Sequence, residues 1–320
     1  MIKKKNGSVS DVLSQFAMLI ALFVLLIFFS VTTEGFLSST NIFNILRQVA
    51  VNGIAAVGMT MVIITGGIDI SAGSMMGVAS VGCATLMVNG IHPFFAVIMV
   101  LILGMIIGLC HGYFVHNVSL PPMITTLATM GILRGITYII SGGLPVYGFP
   151  EKFNIIGQGY VGPIPVPVII MIICFLIGWF ILEKTAFGRY VYGVGSNIEA
   201  SRLSGINVQK VIYGVYGLCG MLSAMAGVVL LSRVNSGQPK AGESYEMDII
   251  TAVVLGGVST SGGEGRIRNV IIGLLLMGVL LNGMVMMNIP DYYQRVVKGC
   301  VLLLAISYDK ISQKRATKKA

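Results

Sequence analysis

Few side chains in this sequence are equipped for chemistry, and the sharpest of them is Asp69. It stands in the stretch GGIDIS, between two apolar runs. A carboxylate near membrane depth is costly and is a functional candidate by default. The other reading is a turn residue that caps the next helix with help from Ser71. Either role needs a donor or water beside the charge. Arg134 interrupts the apolar run MITTLATMGILRGITYII at 123–140. Its guanidinium either faces a polar translocation path, or pairs with another helix, or snorkels outward past the last ~9 Å of helix. Thr125, Thr126 and Thr129 share that helix. Their hydroxyls can serve a polar solute or bond back to their own backbone.

Other chemistries fail on residue type or spacing. The five cysteines lie in apolar runs without a CxxC pair, and are expected to be small buried hydrophobes. His111 and His116 are five apart and sit on different helix faces, so no metal site is expected. The segment GGVSTSGGEG at 256–265 has no lysine to reach a phosphate and no βαβ unit around it. It is expected to be a tight turn where helices pack closely, and not an ATP site. No nucleophile–base–acid set appears, and no run of membrane carboxylates suggests a proton relay. The chain is expected to be no enzyme and to hold no cofactor.

The elements that position these residues follow from composition. Of 320 residues, 55% are hydrophobic and 10% charged, and mean hydropathy is +0.89. A soluble domain carries about 25% charge; disorder and disulfide scaffolds need other compositions. What remains is an all-α, polytopic membrane protein. Apolar runs fall at about 16–31, 49–65, 71–88, 94–115, 123–140, 166–182, 211–232, 248–262, 269–287 and 293–308. They predict about ten transmembrane helices, several short and glycine-interrupted, which a bilayer tolerates where protein or a water-filled path covers them. The organisation is a cytoplasmic tail over 1–15, a membrane domain over 16–308 with an inner loop at about 183–210, and a basic cytoplasmic tail over 309–320.

The net charge of +9 is concentrated at the ends and in short gaps. With the N-terminus inside, inner segments hold 14 of the 21 Lys and Arg residues. Both termini are therefore expected to be cytoplasmic, with the chain in the cell membrane and no nucleic-acid partner.

Two further patterns concern organisation. GGIDISAGS at 66–74 aligns with GGVSTSGGE at 256–264, which pairs Gly66 with Gly256 and Gly67 with Gly257. Both copies follow helices that the count makes inward-running, whereas an inverted repeat needs opposite directions; the symmetry is left open. In the inner loop, residues 197–203 can form a short amphipathic helix capped by Ser196 or Asn197 and stopped by Gly205. Such a helix is either an ordinary interfacial element or a plug for a groove on a partner.

At this point the sequence resembles a known family. GMTMVIITGGIDISAGSMMG (58–77), TAFGRYVYGVGSNIEASRLSGINV (185–208) and DIITAVVLGGVSTSGGEG (248–265) are similar to the permease subunits of bacterial monosaccharide ABC importers of the ribose-transporter type. The resemblance runs over roughly 40–308. Glu264 departs from residues common in relatives. The resemblance implies a ten-helix fold, two permease subunits per transporter (homodimer or heterodimer), a separate cytoplasmic ATP-binding subunit and an extracytoplasmic sugar-binding protein. It makes 193–206 the segment that docks on the ATPase, with Asn197, Glu199, Ala200, Leu203 and Gly205 in the coupling positions. The competing class is an ion-coupled secondary transporter of a small polar solute, which the sparse buried acids disfavour.

Overall fold

A computed structural model describes residues 9–317 of the chain; the lysines at 3–5 and 318–319 lie outside the described residues. Among the described residues thirteen α-helices follow in order, with a short 3-10 helix (Glu151–Asn154) ahead of the sixth: α1 (Val9–Thr32), α2 (Ser39–Ile64), α3 (Ala72–Val88), α4 (Pro93–His116), α5 (Pro122–Ser141), α6 (Ile155–Gln158), α7 (Val166–Lys184), α8 (Ala186–Ser196), α9 (Ile198–Leu203), α10 (Val208–Val234), α11 (Tyr245–Leu255), α12 (Ile267–Met286) and α13 (Asp291–Thr317). One hairpin, Tyr160–Val161 with Ile164–Pro165, turns through Gly162 at φ +59°.

Local chemistry sets several of the starts. Proline opens α4 and α5, where its missing N–H costs nothing. Ser38 accepts a bond from Asn41 N at 3.3 Å to cap α2, and Asn207 accepts one from Lys210 N at 3.0 Å to cap α10.

α2 is the axis of the bundle, with every residue from Val49 to Ile64 buried. α10 packs across it and against α3 and α4. The α4–α10 crossing is close because glycines face backbone: a Cβ on Gly104 would lie 2.6 Å from Gly220 O. Similarly, a Cβ on Gly58 would lie 2.6 Å from Cys219 Cα. Small residues at such crossings let dispersion contacts hold helices where no water drives association. The outer faces of α4, α5 and α7 present Phe94, Ile102, Ile106, Ile132 and Leu176 as exposed apolar side chains, as lipid contact requires. Cys83, Cys174 and Cys219 are buried as expected, whereas Cys110 and Cys300 are exposed.

Each of the ten apolar runs contains a helix, but the helices are unequal. Among the described residues six, and not the expected ten or so, are long and apolar enough to cross a membrane: α2, α4, α5, α7, α10 and α12. Met18–Thr32 and α3 are shorter apolar helices. The run at 248–262 departs furthest from expectation. Its helix stops at Leu255 and a glycine turn follows, so its 11 residues reach only ~16 Å. Before it, residues 235–244 fold inward along α3 as irregular chain. A Cβ on Gly237 would lie 2.9 Å from Ala84 Cβ, and one on Gly242 would lie 3.0 Å from Met76 Cβ.

Candidate coupling end and polar interior

The sequence-predicted coupling segment forms α8 and α9, joined at Asn197. Its extended backbone (φ −163°, ψ 109°) frees the side chain to accept a bond from Ala200 N at 2.9 Å. Gly205, at φ +82°, ends α9. Glu199 and Arg202 pair at 3.0 Å on the exposed face. Leu203 is 84% exposed and Ile198 50%. Two apolar side chains are thus held out by a helix too short to be stable alone. Ser201 faces inward, against Gly193.

This segment leans on both glycine turns. Gly263 N donates to Ile64 O, the last helical carbonyl of α2, at 2.8 Å. Gly195 lies against that same carbonyl, and a Cβ there would come within 2.6 Å of Gly263 N. A Cβ on Gly262 would lie 2.8 Å from Gly195 O and 3.0 Å from Gly66 N. Three backbones therefore meet with no room for side chains. α13 joins them: Thr260 N and Oγ1 donate to Asp309 Oδ2 at 3.1 and 3.0 Å. Tyr192 OH donates to Gly265 O at 2.9 Å, and Arg268 pairs with Glu183 at 3.3 Å. Burial, helped by the Glu183 carboxylate, holds the Tyr192 phenol above its ordinary pKa, which keeps its proton on the donor.

The two turns share one motif, in a register shifted by one from the sequence alignment. Gly66 N bonds Ile63 O at 2.9 Å and Gly67 N bonds Val62 O at 3.1 Å. Gly257 N bonds Val254 O at 2.8 Å and Val258 N bonds Val253 O at 3.3 Å. The left-handed residues are Gly66 (φ +83°) and Gly257 (φ +79°), the position where helix ends favour glycine. Gly66 therefore corresponds to Gly257, and Gly67 to Val258. Gly67 is glycine for another reason: its Cβ would strike the Tyr216 hydroxyl. A Cβ on Gly256 would lie 2.6 Å from Val270 Cα. Because the turns touch, α2 and α11 run toward the same end; an inverted pair would place them apart.

Asp69 is 1% exposed. Its Oδ1 accepts Ser71 N at 2.9 Å and Ser71 Oγ at 2.6 Å, so it braces the turn ahead of α3 and does not cap the first turn of α3 itself. Its Oδ2 lies 3.7 Å from His111 Nδ1, which is equally buried. The imidazole meets the Tyr216 ring edge-on at 6.2 Å. Sequence reading assigned His111 no role, because its partner comes from a distant turn. Thr126 also belongs here: its Oγ1 accepts Ile70 N at 3.1 Å and reaches Ile68 O at 3.2 Å. Thr125 and Thr129 instead donate to Pro121 O and Thr125 O of their own helix, at 3.2 and 3.0 Å.

Arg134 lies higher on α5. Its Nη1 donates to Pro239 O and Ala241 O, both at 2.9 Å, and so ties α5 to the infolded segment. A second charge system, which sequence reading missed, joins α11 to α13. Lys298 Nζ meets Asp248 Oδ2 at 2.8 Å, 13% and 3% exposed. Arg295 bonds Asp291 at 2.9 Å beside Glu243 at 3.5 Å.

Comparison with known proteins agrees over nearly the whole chain. Residues 41–306 match the family described as branched-chain amino acid transport system / permease component. The ribose import permease protein RbsC of Bacillus subtilis is 45% identical, covering 96% of this chain and 96% of its own length. RbsC of Escherichia coli K12 is 44% identical, covering 92% of this chain and 93% of its own. The xylose transport system permease protein XylH of Haemophilus influenzae is 34% identical over 95% of this chain and 98% of its own. No solved structure gives a significant match.

Proposed function

The chain belongs to the family of branched-chain amino acid transport system permease components, and from that membership we propose that it conducts a monosaccharide through an ATP-driven importer. It is a multi-pass membrane permease subunit of a sugar ABC importer, and ATP hydrolysis belongs to a separate subunit. Ribose or a similar pentose is the substrate class that its relatives' names favour.

The observation that carries the mechanism is the three-way backbone contact of Gly195, Gly263 and Ile64. Through it, a push on α9 passes by way of α8 to the end of α2 and to the turn between α11 and α12, without relying on flexible side chains. The exposed Ile198 and Leu203 supply the docking face for the ATPase, and Glu199, Asn197, Ala200 and Gly205 hold that face in shape. Nucleotide binding favours one state of the partner, and contact transmits that preference to the permease.

The α9 end is cytoplasmic in this reading. Lys184, Arg189, Arg202, Lys210, Arg266, Arg268 and Lys310 sit in the segments that meet there, which fits the positive-inside bias. α11 with residues 235–244 completes a broken crossing, bringing the total to about ten. A sugar-binding protein delivers substrate at the opposite end, and a second permease subunit completes the path. Thr126, Arg134 and the buried Asp69 hold the interior in shape, and Thr125 and Thr129 face the path only if α5 moves. Co-expression with the ATPase tests this: both should purify together, and a chain that purifies alone from cells containing the ATPase would reject it.

A further inference from the structure

Residues 235–244 form no helix or strand; Ser236, Gly237, Pro239 and Gly242 are buried, whereas Asn235, Gln238, Lys240 and Glu243 are exposed. A bilayer interior tolerates irregular chain only where it is covered by protein or lines a water-filled space. Here both hold. One side of the segment packs on α3, and the other bounds a cavity of about 190 Å³. The cavity lies at the end of α10 opposite α9, between Ser80 of α3 and the start of α11. It has room for about six waters at ~30 Å³ each, close to the bulk of one sugar ring.

The lining is of two kinds. Leu230, Val234 and the Tyr245 ring are apolar. Ser236, Gln238, Lys240 and Glu243 bring an amide, a hydroxyl, an ammonium and a carboxylate to the same space. Gln238 Nε2 bonds Ser236 Oγ at 3.2 Å and keeps its carbonyl oxygen for another donor. Lys240 makes no ion pair among the described residues. Behind them, Ser80 is fully buried and its hydroxyl has no hydrogen-bond partner among the described residues. Donors and acceptors in mixture, beside an aromatic face, match a neutral polyol, whose hydroxyls both give and take bonds and whose C–H face is apolar. Val146 exchanges both backbone bonds with Gly237 at 2.9 Å, so the loop after α5 is fastened to the cavity wall one residue from Gln238.

We propose that this cavity is a docking subsite for a single-ring sugar on its way through the permease, with Gln238, Glu243 and Tyr245 as its contacts. The proposal rests on the sugar-permease reading. The small volume and open edge make it a weak site, as a conduit requires.

The test is uptake by the complete transporter in proteoliposomes, with binding protein saturating and two epimeric pentoses compared. Gln238→Leu should lower uptake of the better sugar about fivefold, the loss of one ordinary hydrogen bond. It should also change the ratio between the two epimers, while ATP hydrolysis and complex assembly stay at wild-type level. An unchanged rate and ratio would overturn the subsite and leave the permease reading standing. Wild-type transporter that moves neither sugar would instead remove the reading beneath it. Where Gln238→Leu does not assemble, Gln238→Ala, which removes the same acceptor, decides by the same two readouts.

Discussion

Replacing Gly195 with alanine adds one carbon where three backbones meet. Its Cβ would lie against Ile64 O, 2.6 Å from Gly263 N and 2.9 Å from Ile64 C. All three are main-chain atoms, so no side chain can swing aside. The methyl would wedge between Ile64 O and Gly263 N, and relief comes from parting those two, which breaks the 2.8 Å bond from Gly263 N to Ile64 O. That bond contributes about 1 kcal/mol, and overpacking costs about 1–3 kcal/mol, for roughly 2–4 kcal/mol against the packed arrangement. At 1.4 kcal/mol per decade, its population falls by between roughly one and three decades. Ile198 and Leu203 are untouched, so the ATPase should still bind. We expect Gly195→Ala transporter to assemble and hydrolyse ATP, with sugar moved per ATP at least tenfold lower. Gly205→Ala is the control. Its φ of +82° is strained for alanine but the space around it is open, so the cost is a local ~1–2 kcal/mol. Wild-type uptake per ATP in Gly195→Ala would show that the three segments do not transmit the stroke.

Leu203→Asp should leave expression and thermal stability within about 0.5 kcal/mol, because the side chain is exposed. It should weaken ATPase co-purification by roughly 2–5 kcal/mol; undiminished co-purification would remove the docking face. Gly67→Ala should impair uptake through its clash with the Tyr216 hydroxyl, and Tyr216→Phe in the same chain should restore much of it; no rescue would refute that contact. Gly257, at φ +79° in open space, should accept asparagine far better than valine in the same uptake assay, since asparagine tolerates the left-handed region. Lys298→Ala leaves Asp248 unpaired at 3% exposure and should cost about 3–5 kcal/mol in detergent unfolding. The double replacement with Asp248→Ala should recover most of that, and an equally unstable double variant would contradict the pairing.

What the sequence made legible was local. Each apolar run marked a helix, although among the described residues only six of these are long and apolar enough to cross a membrane; the cap at Asn197 and the stop at Gly205 gave α9, and both glycine turns lie where their letters place them. Three things were not legible. The run at 248–262 stays apolar across Gly256, so composition does not reveal that its helix ends at Leu255. Residues 235–244 hold Asn, Ser, Gln, Lys and Glu, and nothing in that composition reveals that Gly237 and Gly242 pack against α3. The partners of Asp69 and Asp248 come from α4 and α13, and no spacing rule reaches across helices. The register error between the turns has a simple cause. Two adjacent glycines look alike in a sequence, and only the sign of φ separates the one that ends the helix from the one that makes room.

The most direct test is transport by the purified chain in proteoliposomes with its ATPase inside and a sugar-binding protein outside. Labelled pentose should accumulate only when ATP is enclosed and all three proteins are present, and the Gly195→Ala chain should hydrolyse ATP with little accumulation. Accumulation by this chain alone, driven by an ion gradient without ATP, would contradict the central claim and make it a secondary transporter.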